Sequence, residues 1–273
     1  MTAHQSLISI LGAGNMGASI CKGLLMGSSA DLRVRATTAT EASAATLTNL
    51  GLEARSLEAD SQANLWASAG ADIVLLGVKP WSIIDLLSSI APNLKTQATV
   101  VSIAAGITIE QIEQFWGGAV LRAMPNTPVA VAKGFIGLSA GMSVKRDQLN
   151  QTRSLFERIG SVMQVDESLL NALSSFSGSG PAFVYFFIER FIEVAKKMGF
   201  SNHQAEEMVQ QTWVGAMGLL DASNKTPERL RREVTSKGGT TEAALSIYAE
   251  ANLGDLITEA SEAAIRRSEE LAE

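Results

Sequence analysis

The stretch that decides the fold is Leu7-Ile8-Ser9-Ile10-Leu11-Gly12-Ala13-Gly14-Asn15-Met16-Gly17. A short apolar run leads into a glycine-rich turn, and apolar residues at helical spacing follow the turn as far as Met26. In this context a GxGxxG pattern is typical of dinucleotide binding, because the glycines allow a tight turn, close approach of a pyrophosphate and close helix–strand packing. The alternative is a purely structural turn. The residues that we expect to bind the cofactor here are Leu11, Gly12, Ala13, Gly14, Asn15 and Met16.

The end of the second predicted strand bears on which dinucleotide is bound. NAD sites usually place Asp or Glu about 20 residues after the glycine motif, where it binds the ribose 2′-hydroxyl. Residues 34–40 read Val-Arg-Ala-Thr-Thr-Ala-Thr and contain no carboxylate. Thr37 and Thr38 offer hydroxyls there, and Arg35 offers charge, so NADP is favoured over NAD. The alternative is that these threonines merely suit a strand end.

Strand-like and helix-like segments alternate after the glycine turn. The predicted strands are Leu32 to Ala36, Asp72 to Val78, Thr99 to Ile103, Val120 to Arg122, Phe135 to Ser139 and Val162 to Val165. The predicted helices are Glu41 to Leu50, Trp81 to Ile90 and Lys145 to Ile159. Such alternation predicts a parallel sheet with helices on both faces. We therefore expect an α/β fold with a Rossmann-type, doubly wound N-terminal domain over residues 1–165.

Helical patterns replace strands after Val165, which predicts an all-helical domain over residues 166–273. The segment from Ala182 to Met198 is apolar around most of its circumference, so a second subunit is a sensible source of cover. Ser201 and Gln204 form a capping-box pattern before a helix that runs through Trp213 to Leu220. Further helices are predicted over Thr241 to Tyr248 and Asn252 to Leu271.

The composition excludes several classes of protein. With 273 residues, of which 46% are hydrophobic, the chain is not disordered. Its formal net charge of -6 disfavours nonspecific attraction to nucleic acid or anionic membranes and leaves open a local basic patch. Cys21 is the only cysteine, so an intrachain disulfide and a cysteine-ligated zinc site are out of reach. No metal site is predicted. Residues 1–11 lack the features of an export signal, and we expect the cytoplasm.

Two small, flexible segments precede helices in the C-terminal half. They read Ser177-Gly178-Ser179-Gly180-Pro181 and Ser236-Lys237-Gly238-Gly239-Thr240-Thr241. Amides freed by paired glycines, with hydroxyls beside them, form a nest that suits a carboxylate. Each segment is alternatively a simple helix N-terminus.

These two segments, the glycine turn and three others carry a family resemblance. The others are Gly77-Val78-Lys79-Pro80, Ser102-Ile103-Ala104-Ala105-Gly106 and Arg122-Ala123-Met124-Pro125-Asn126-Thr127-Pro128, and the match at Ser236 to Thr241 extends back to Glu233. Over its whole length the chain resembles the pyrroline-5-carboxylate reductases. The resemblance implies hydride transfer from NAD(P)H to 1-pyrroline-5-carboxylate, the last step of proline biosynthesis. It also implies a helical domain that interleaves with a twofold mate, and some family members assemble into pentamers of dimers.

The resemblance also implies roles for individual residues. Thr38, with Thr37 beside it, would lie near the 2′-phosphate, and Asn64 would contact the adenosine half of the cofactor. The nicotinamide half would be lined by Val78, Lys79, Pro80, Ile103, Ala104 and Ala105, although Lys79 could equally be a strand-end lysine without a chemical role.

For the substrate, the resemblance implies that the loop from Ser236 to Thr241 binds the carboxylate. The residues that would do so are Ser236, Gly238, Gly239, Thr240 and Thr241. The Thr241 hydroxyl would also lie near the ring nitrogen, which makes it the catalytic candidate. Glu167 matches an acidic substrate-site position. Lys237 stands where the family commonly has proline, so the loop is less rigid but gains a cation.

Two other functions remain open from the residues. A two-domain dehydrogenase acting on a hydroxy acid would share the glycine turn, but would normally have a lysine base on a domain helix. A non-enzymatic regulatory protein would bind NADP without turnover. Oxidation of NADPH that depends on pyrroline-5-carboxylate separates these alternatives.

Overall fold

The computed structural model describes residues 5–27 and 31–270. Residue contacts divide the chain into two compact units. Among the described residues, the sheet unit comprises 5–27, 31–179 and 264–270, and the helical unit comprises Gly180–Ala263. The domain boundary that the sequence places after Val165 stays a prediction.

The sheet unit contains an eight-stranded sheet. Its strands are β1 (Ser6–Leu11), β2 (Leu32–Thr38), β3 (Glu53–Ser56), β4 (Ile73–Leu76), β5 (Thr99–Ser102), β6 (Ala119–Pro125), β7 (Gly134–Ala140) and β8 (Gly160–Gln164). Their order is β3-β2-β1-β4-β5-β6-β7-β8, and every neighbouring pair is parallel except β6 with β7. β2 and β3 are added on one side of β1, and β4 and the later strands on the other side. Doubly wound folds bind ligands at such a switch point, which lies here between β1 and β4. The predicted Rossmann-type architecture is confirmed.

Helices cover both faces of this sheet. They are α1 (Asn15–Met26), α2 (Glu41–Asn49), α3 (Ala63–Ser68), α4 (Ile83–Ile90), α5 (Ile109–Glu113), α6 (Arg146–Glu157) and α7 (Leu170–Leu173). One apolar core joins Ile20 of α1 to Phe156 of α6, and a second joins Ile83 and Leu87 of α4 to Ile112 of α5. Because both faces are covered, β4 and β5 are buried at every residue.

The sequence pattern missed the short elements between β2 and β4. β3 has the sequence Glu-Ala-Arg-Ser, which lacks an apolar run, and α3 has only six residues. Both are too short for a periodic signal. The predicted strand from Asp72 to Val78 is also longer than β4, because the chain leaves the sheet at Gly77.

The remaining helices are α8 (Gly180–Lys197), α9 (Asn202–Ala222), α10 (Pro227–Glu233), α11 (Thr240–Glu250) and α12 (Leu253–Glu270). The capping box of Ser201 and Gln204 is present at the start of α9. Leu271, the predicted end of the last helix, lies outside the described residues. The edge of the Phe191 ring meets Trp213 at 6.0 Å between centroids and joins α8 to α9.

The helical unit leaves many large apolar side chains exposed. Its buried apolar residues are Ala195, Ala205 and Val209. By contrast, Tyr185 and Val214 are 63% and 66% exposed in the single chain. Exposed apolar surface of this extent indicates an interface rather than a solvated face. Across residues 5–27 and 31–270, none of the helices has the length and apolar character needed to cross a membrane.

Candidate functional site

The glycine turn lies at the carboxyl end of β1, against the residues that follow β4. Gly12 has φ +77°, and a Cβ on it would lie 2.5 Å from Val78 Cγ1. Only glycine suits both this left-handed backbone and this close approach. Gly14 differs, since a Cβ there would meet nothing within 4 Å. The first glycine therefore shapes the turn, and the second leaves its outer side open for a ligand.

The start of α1 fits a phosphate group. Gly14 is the N-cap, and within the described residues no side chain caps this end and no acidic residue stands in the first turn. First-turn amides without internal partners favour an anion, which the helix dipole also stabilises. The residues present therefore fit the pyrophosphate of a dinucleotide.

Thr37 connects β2 to the glycine turn. Its hydroxyl accepts a hydrogen bond from the Gly12 amide at 3.0 Å and donates one to Asn64 Oδ1 at 2.7 Å. Its carbonyl accepts from the Ala13 amide at 2.6 Å. The side chain is fully buried. Thr37 thus supports the turn, and its role beside a 2′-phosphate stays a prediction.

The other residues predicted for the adenosine side have different surroundings. The hydroxyl of Thr38, which is also buried, donates to the Thr40 carbonyl at 2.9 Å. Arg35 is directed elsewhere: its guanidinium contacts Glu53 and donates to the Trp66 carbonyl at 3.0 Å. Arg35 is therefore engaged in packing α3 against the sheet rather than directed to the strand end.

The residues predicted for the nicotinamide half follow two adjacent strands. Val78, Lys79 and Pro80 come after β4, and Ile103, Ala104 and Ala105 come after β5. The Gly77 amide donates to the Leu11 carbonyl at 2.8 Å, so the end of β4 lies directly beside the end of β1. The fold therefore brings both groups and the glycine turn to one edge of the sheet. Their contacts with a cofactor stay predictions.

Glu167 has two hydrogen-bond donors within the sheet unit. Its Oε1 accepts from Arg122 Nη1 at 2.6 Å and from the Ile109 amide at 2.8 Å. Arg122 lies on β6 with its side chain 7% exposed. The carboxylate thereby neutralises a buried guanidinium and holds the first turn of α5. The substrate-binding role that the resemblance implies for Glu167 stays a prediction.

The stretch from Arg122 to Pro128 also contains a side chain whose role sequence reasoning did not assign. Asn126 donates to the Ser177 carbonyl at 3.1 Å and accepts from the Phe135 amide at 2.8 Å. Asn126 thus connects β7 to Ser177, the first residue of the Ser177–Pro181 segment. Residues Ser174–Gly178 of that region form a π-helix, a conformation found frequently at functional sites.

The predicted substrate loop lies in the helical unit and leads into α11. The Gly239 amide donates to the Ser236 carbonyl at 3.0 Å, and Gly238 has φ +72°. The Gly238 amide donates to Glu242 Oε2 at 2.6 Å. Thr241 lies in the first turn of α11, whose N-cap is Gly239. One amide predicted to bind a substrate carboxylate therefore already binds a carboxylate of the chain.

The described residues support neither a reactive cysteine nor a metal site. Burial raises the pKa of the Cys21 thiol to about 12, so the thiol stays protonated at neutral pH. Within residues 5–27 and 31–270, no group of three or more His, Cys, Asp and Glu side chains is arranged to hold a metal ion.

The N-terminal and C-terminal parts of the chain each match a known protein family. Residues 7–106 match the family model described as coenzyme F420-dependent NADP oxidoreductase, and residues 167–271 match that for pyrroline-5-carboxylate reductase dimerisation. The chain is 35% identical over 275 residues to the pyrroline-5-carboxylate reductase of Pseudomonas aeruginosa, covering 97% of each. The chain belongs to the pyrroline-5-carboxylate reductase family.

Further members of the pyrroline-5-carboxylate reductase family agree in length and fold. The enzyme of Corynebacterium melassecola is 33% identical over 274 residues, which cover 98% of this chain and 99% of the relative. The solved structure of the Coxiella burnetii reductase has a TM-score of 0.89 at 32% identity, and covers 98% of this chain and 99% of its own. The similarity therefore extends through the sheet unit and the helical unit.

Proposed function

We propose that this protein reduces 1-pyrroline-5-carboxylate to L-proline with a nicotinamide cofactor as hydride donor. The observation that carries the proposal is membership of the reductase family over nearly the whole chain. The open glycine turn at the carboxyl end of β1 supports it independently, since its shape fits a dinucleotide.

The sheet unit provides the cofactor site. The glycine turn binds the pyrophosphate through the first-turn amides of α1. Thr37 keeps the turn in place, because its hydroxyl accepts from the Gly12 amide and its carbonyl accepts from the Ala13 amide. The segments after β4 and β5 bind the nicotinamide half. When bound, the reduced nicotinamide supplies the hydride that adds to the imine carbon.

The helical unit provides the substrate loop. Backbone amides of the loop from Ser236 to Thr241 bind the substrate carboxylate, and this fixes the orientation of the ring. For the Gly238 amide this requires the substrate to displace the Glu242 carboxylate. The Thr241 hydroxyl donates to the ring nitrogen or relays a proton to it. The reaction requires one hydride at carbon and one proton at nitrogen, and an unperturbed threonine hydroxyl is too weakly acidic to supply that proton alone. Water or prior protonation of the imine supplies it.

NADPH is the proposed physiological donor. Residues 37–40 at the end of β2 contain no carboxylate, and this supports binding of a 2′-phosphate. The solved structure of the Plasmodium falciparum pyrroline carboxylate reductase has NADP bound, at 24% identity to this chain.

The proposed unit of function is a homodimer formed through the helical unit. Such dimers can assemble further, for example into a decamer. The exposed apolar side chains of α8 and α9 support this, as does the match of residues 167–271 to a dimerisation model. The cytoplasm is the proposed compartment, in keeping with a biosynthetic reaction and a free, buried Cys21.

The decisive experiment follows NADPH absorbance with and without 1-pyrroline-5-carboxylate and identifies proline as the product. We expect oxidation that depends on substrate, and a larger kcat/KM with NADPH than with NADH. Gly12→Ala should abolish cofactor binding, because a Cβ there meets Val78, whereas Gly27→Ala should not, because nothing lies within 4 Å. Cofactor binding without turnover would instead identify a regulatory protein, and oxidation of a hydroxy acid would identify the other dehydrogenase.

A further inference from the structure

The segment after β3 runs beside the end of β2, where the ribose 2′ substituent of a dinucleotide lies in Rossmann-type folds. Thr37 pairs with Arg55 in the β2–β3 register. The two chains stay together beyond the strands, since the Leu57 amide donates to the Thr38 carbonyl at 2.8 Å and the Glu58 amide to the Ala39 carbonyl at 3.2 Å. The backbone of residues 55–58 therefore lies beside the end of β2, although the two segments are remote in sequence.

Arg55 is held there in a defined orientation. Its guanidinium lies over the Trp66 ring at 4.1 Å from the centroid, and its Nη1 donates to Asp60 Oδ2 at 3.0 Å. Asp60 is fixed in turn, because its Oδ1 accepts from the Gln62 amide at 2.9 Å. The Arg55 side chain is still 46% exposed. A stacked guanidinium with exposed donors suits recognition of a phosphate.

The other two arginines of these strands are placed differently. Arg33 forms an ion pair with Glu53, and Arg35 contacts the same carboxylate with its side chain only 15% exposed. Both stand nearer the start of β2 than Arg55's partner Thr37 does. Of the arginines on β2 and β3, Arg55 is the one at the cofactor edge.

Glu58, which lies near the same end of β2, has the opposite charge to Arg55. Its Oε2 accepts from the amide of Glu41, the first residue of α2, at 2.9 Å. A carboxylate at this helix start opposes an incoming phosphate by charge repulsion and by occupying an amide that an anion would use. Residues 37–40 contain no acid, but two acids stand next to them, Glu41 in the first turn of α2 and Glu58 at its amide.

We propose that residues 55–58 set the discrimination between a 2′-phosphate and a 2′-hydroxyl, with Arg55 attracting the phosphate and Glu58 opposing it. The inference rests on the proposed function only in that the site binds a nicotinamide dinucleotide. It assigns cofactor selection to the end of β3 and the first residues after it rather than to the end of β2 alone.

The test measures binding of adenosine 2′,5′-bisphosphate and of adenosine 5′-monophosphate by calorimetry, without substrate or turnover. Arg55→Gln should weaken the bisphosphate about five- to tenfold and leave the monophosphate unchanged, since one charge-assisted contact is lost. Glu58→Gln should strengthen the bisphosphate about threefold, again with little change for the monophosphate. Arg153→Gln and Glu157→Gln, which alter an exposed ion pair on α6, control for net charge and should change neither ligand.

Other outcomes overturn the inference. Equal loss of both ligands in Arg55→Gln would show that this residue binds the adenosine and not the phosphate. Unchanged bisphosphate binding in both variants would assign selection to residues 37–40. Neither result depends on pyrroline-5-carboxylate reduction, so failure of the proposed reaction is a separate observation.

Discussion

Glu167 Oε1 lies 2.6 Å from Arg122 Nη1 and forms an ion pair with a guanidinium that is almost fully buried. The two residues are 45 positions apart in the chain. Removing the carboxylate would leave a buried charge without its counter-charge, which is more costly than losing an exposed ion pair. This ion pair gives Glu167 a stabilising role in the sheet unit, beside the substrate-binding role that stays a prediction.

Glu167→Gln should lower the free energy of unfolding by about 1 to 3 kcal/mol, since glutamine keeps an acceptor but removes the charge. Urea unfolding at neutral pH measures this. The matched control is Glu157→Gln, which removes an exposed pair with Arg153 and should cost less than about 0.5 kcal/mol. Unchanged stability together with a raised substrate KM would return Glu167 to the substrate site.

Gly239→Ala should raise the KM for pyrroline-5-carboxylate about tenfold or more. A Cβ on Gly239 would meet the side chain of Ser236 and lie 3.0 Å from its carbonyl oxygen, so the loop must change shape. Gly117→Ala adds the same methyl group where nothing lies within 4 Å and serves as the control. Steady-state kinetics measure the KM of both variants, and circular dichroism checks that they fold. Equal KM values in the two variants would count against the loop as the carboxylate site.

Thr241→Ala should reduce kcat about ten- to a hundredfold with a smaller change in KM. The reason is that its hydroxyl is proposed to contact the ring nitrogen as the charge there is lost, so the contact strengthens along the reaction. Thr241→Ser retains the hydroxyl and should retain most of kcat. Full kcat in the alanine variant would disprove a role at nitrogen.

Glu242→Ala should lower the substrate KM about two- to fivefold. The Glu242 carboxylate accepts from the Gly238 amide at 2.6 Å, and so competes with the substrate carboxylate for that donor. Glu250→Ala removes an acid at the other end of α11 and provides the control. A higher KM in Glu242→Ala would mean that this contact supports the loop in its binding shape.

Val214→Asp should dissociate or unfold the homodimer. Val214 is 66% exposed in the single chain, so an aspartate there would be harmless in a monomer but would bury an unpaired charge in an interface. Thr212→Asp introduces the same charge on the same helix at an exposed polar position on the opposite face, and should leave the mass unchanged. Light scattering reports the mass; a wild-type protein that is monomeric and active would contradict the proposed assembly.

Sequence patterns predicted the parts of this fold that depend on neighbouring residues. The glycine turn, the capping box at Ser201 and the alternation of strands with helices are local signals, and the structure has all three. The short β3 and α3 were missed because four and six residues carry no usable period. Because β3 was not predicted, the positions of Arg55, which lies on it, and of Glu58, which follows it, could not be predicted either.

The α/β class, the dinucleotide turn, the family resemblance and the need of the C-terminal helices for cover could all be predicted from residue patterns. Each of these follows from spacing within one segment or from a motif read in order. Three contacts became visible only in the folded chain: Thr37 supports the turn, Glu167 pairs with Arg122, and Glu58 lies at the start of α2. These contacts join residues that are distant in sequence, and the hydrophobic period within one segment does not specify which residue of another segment lies opposite it.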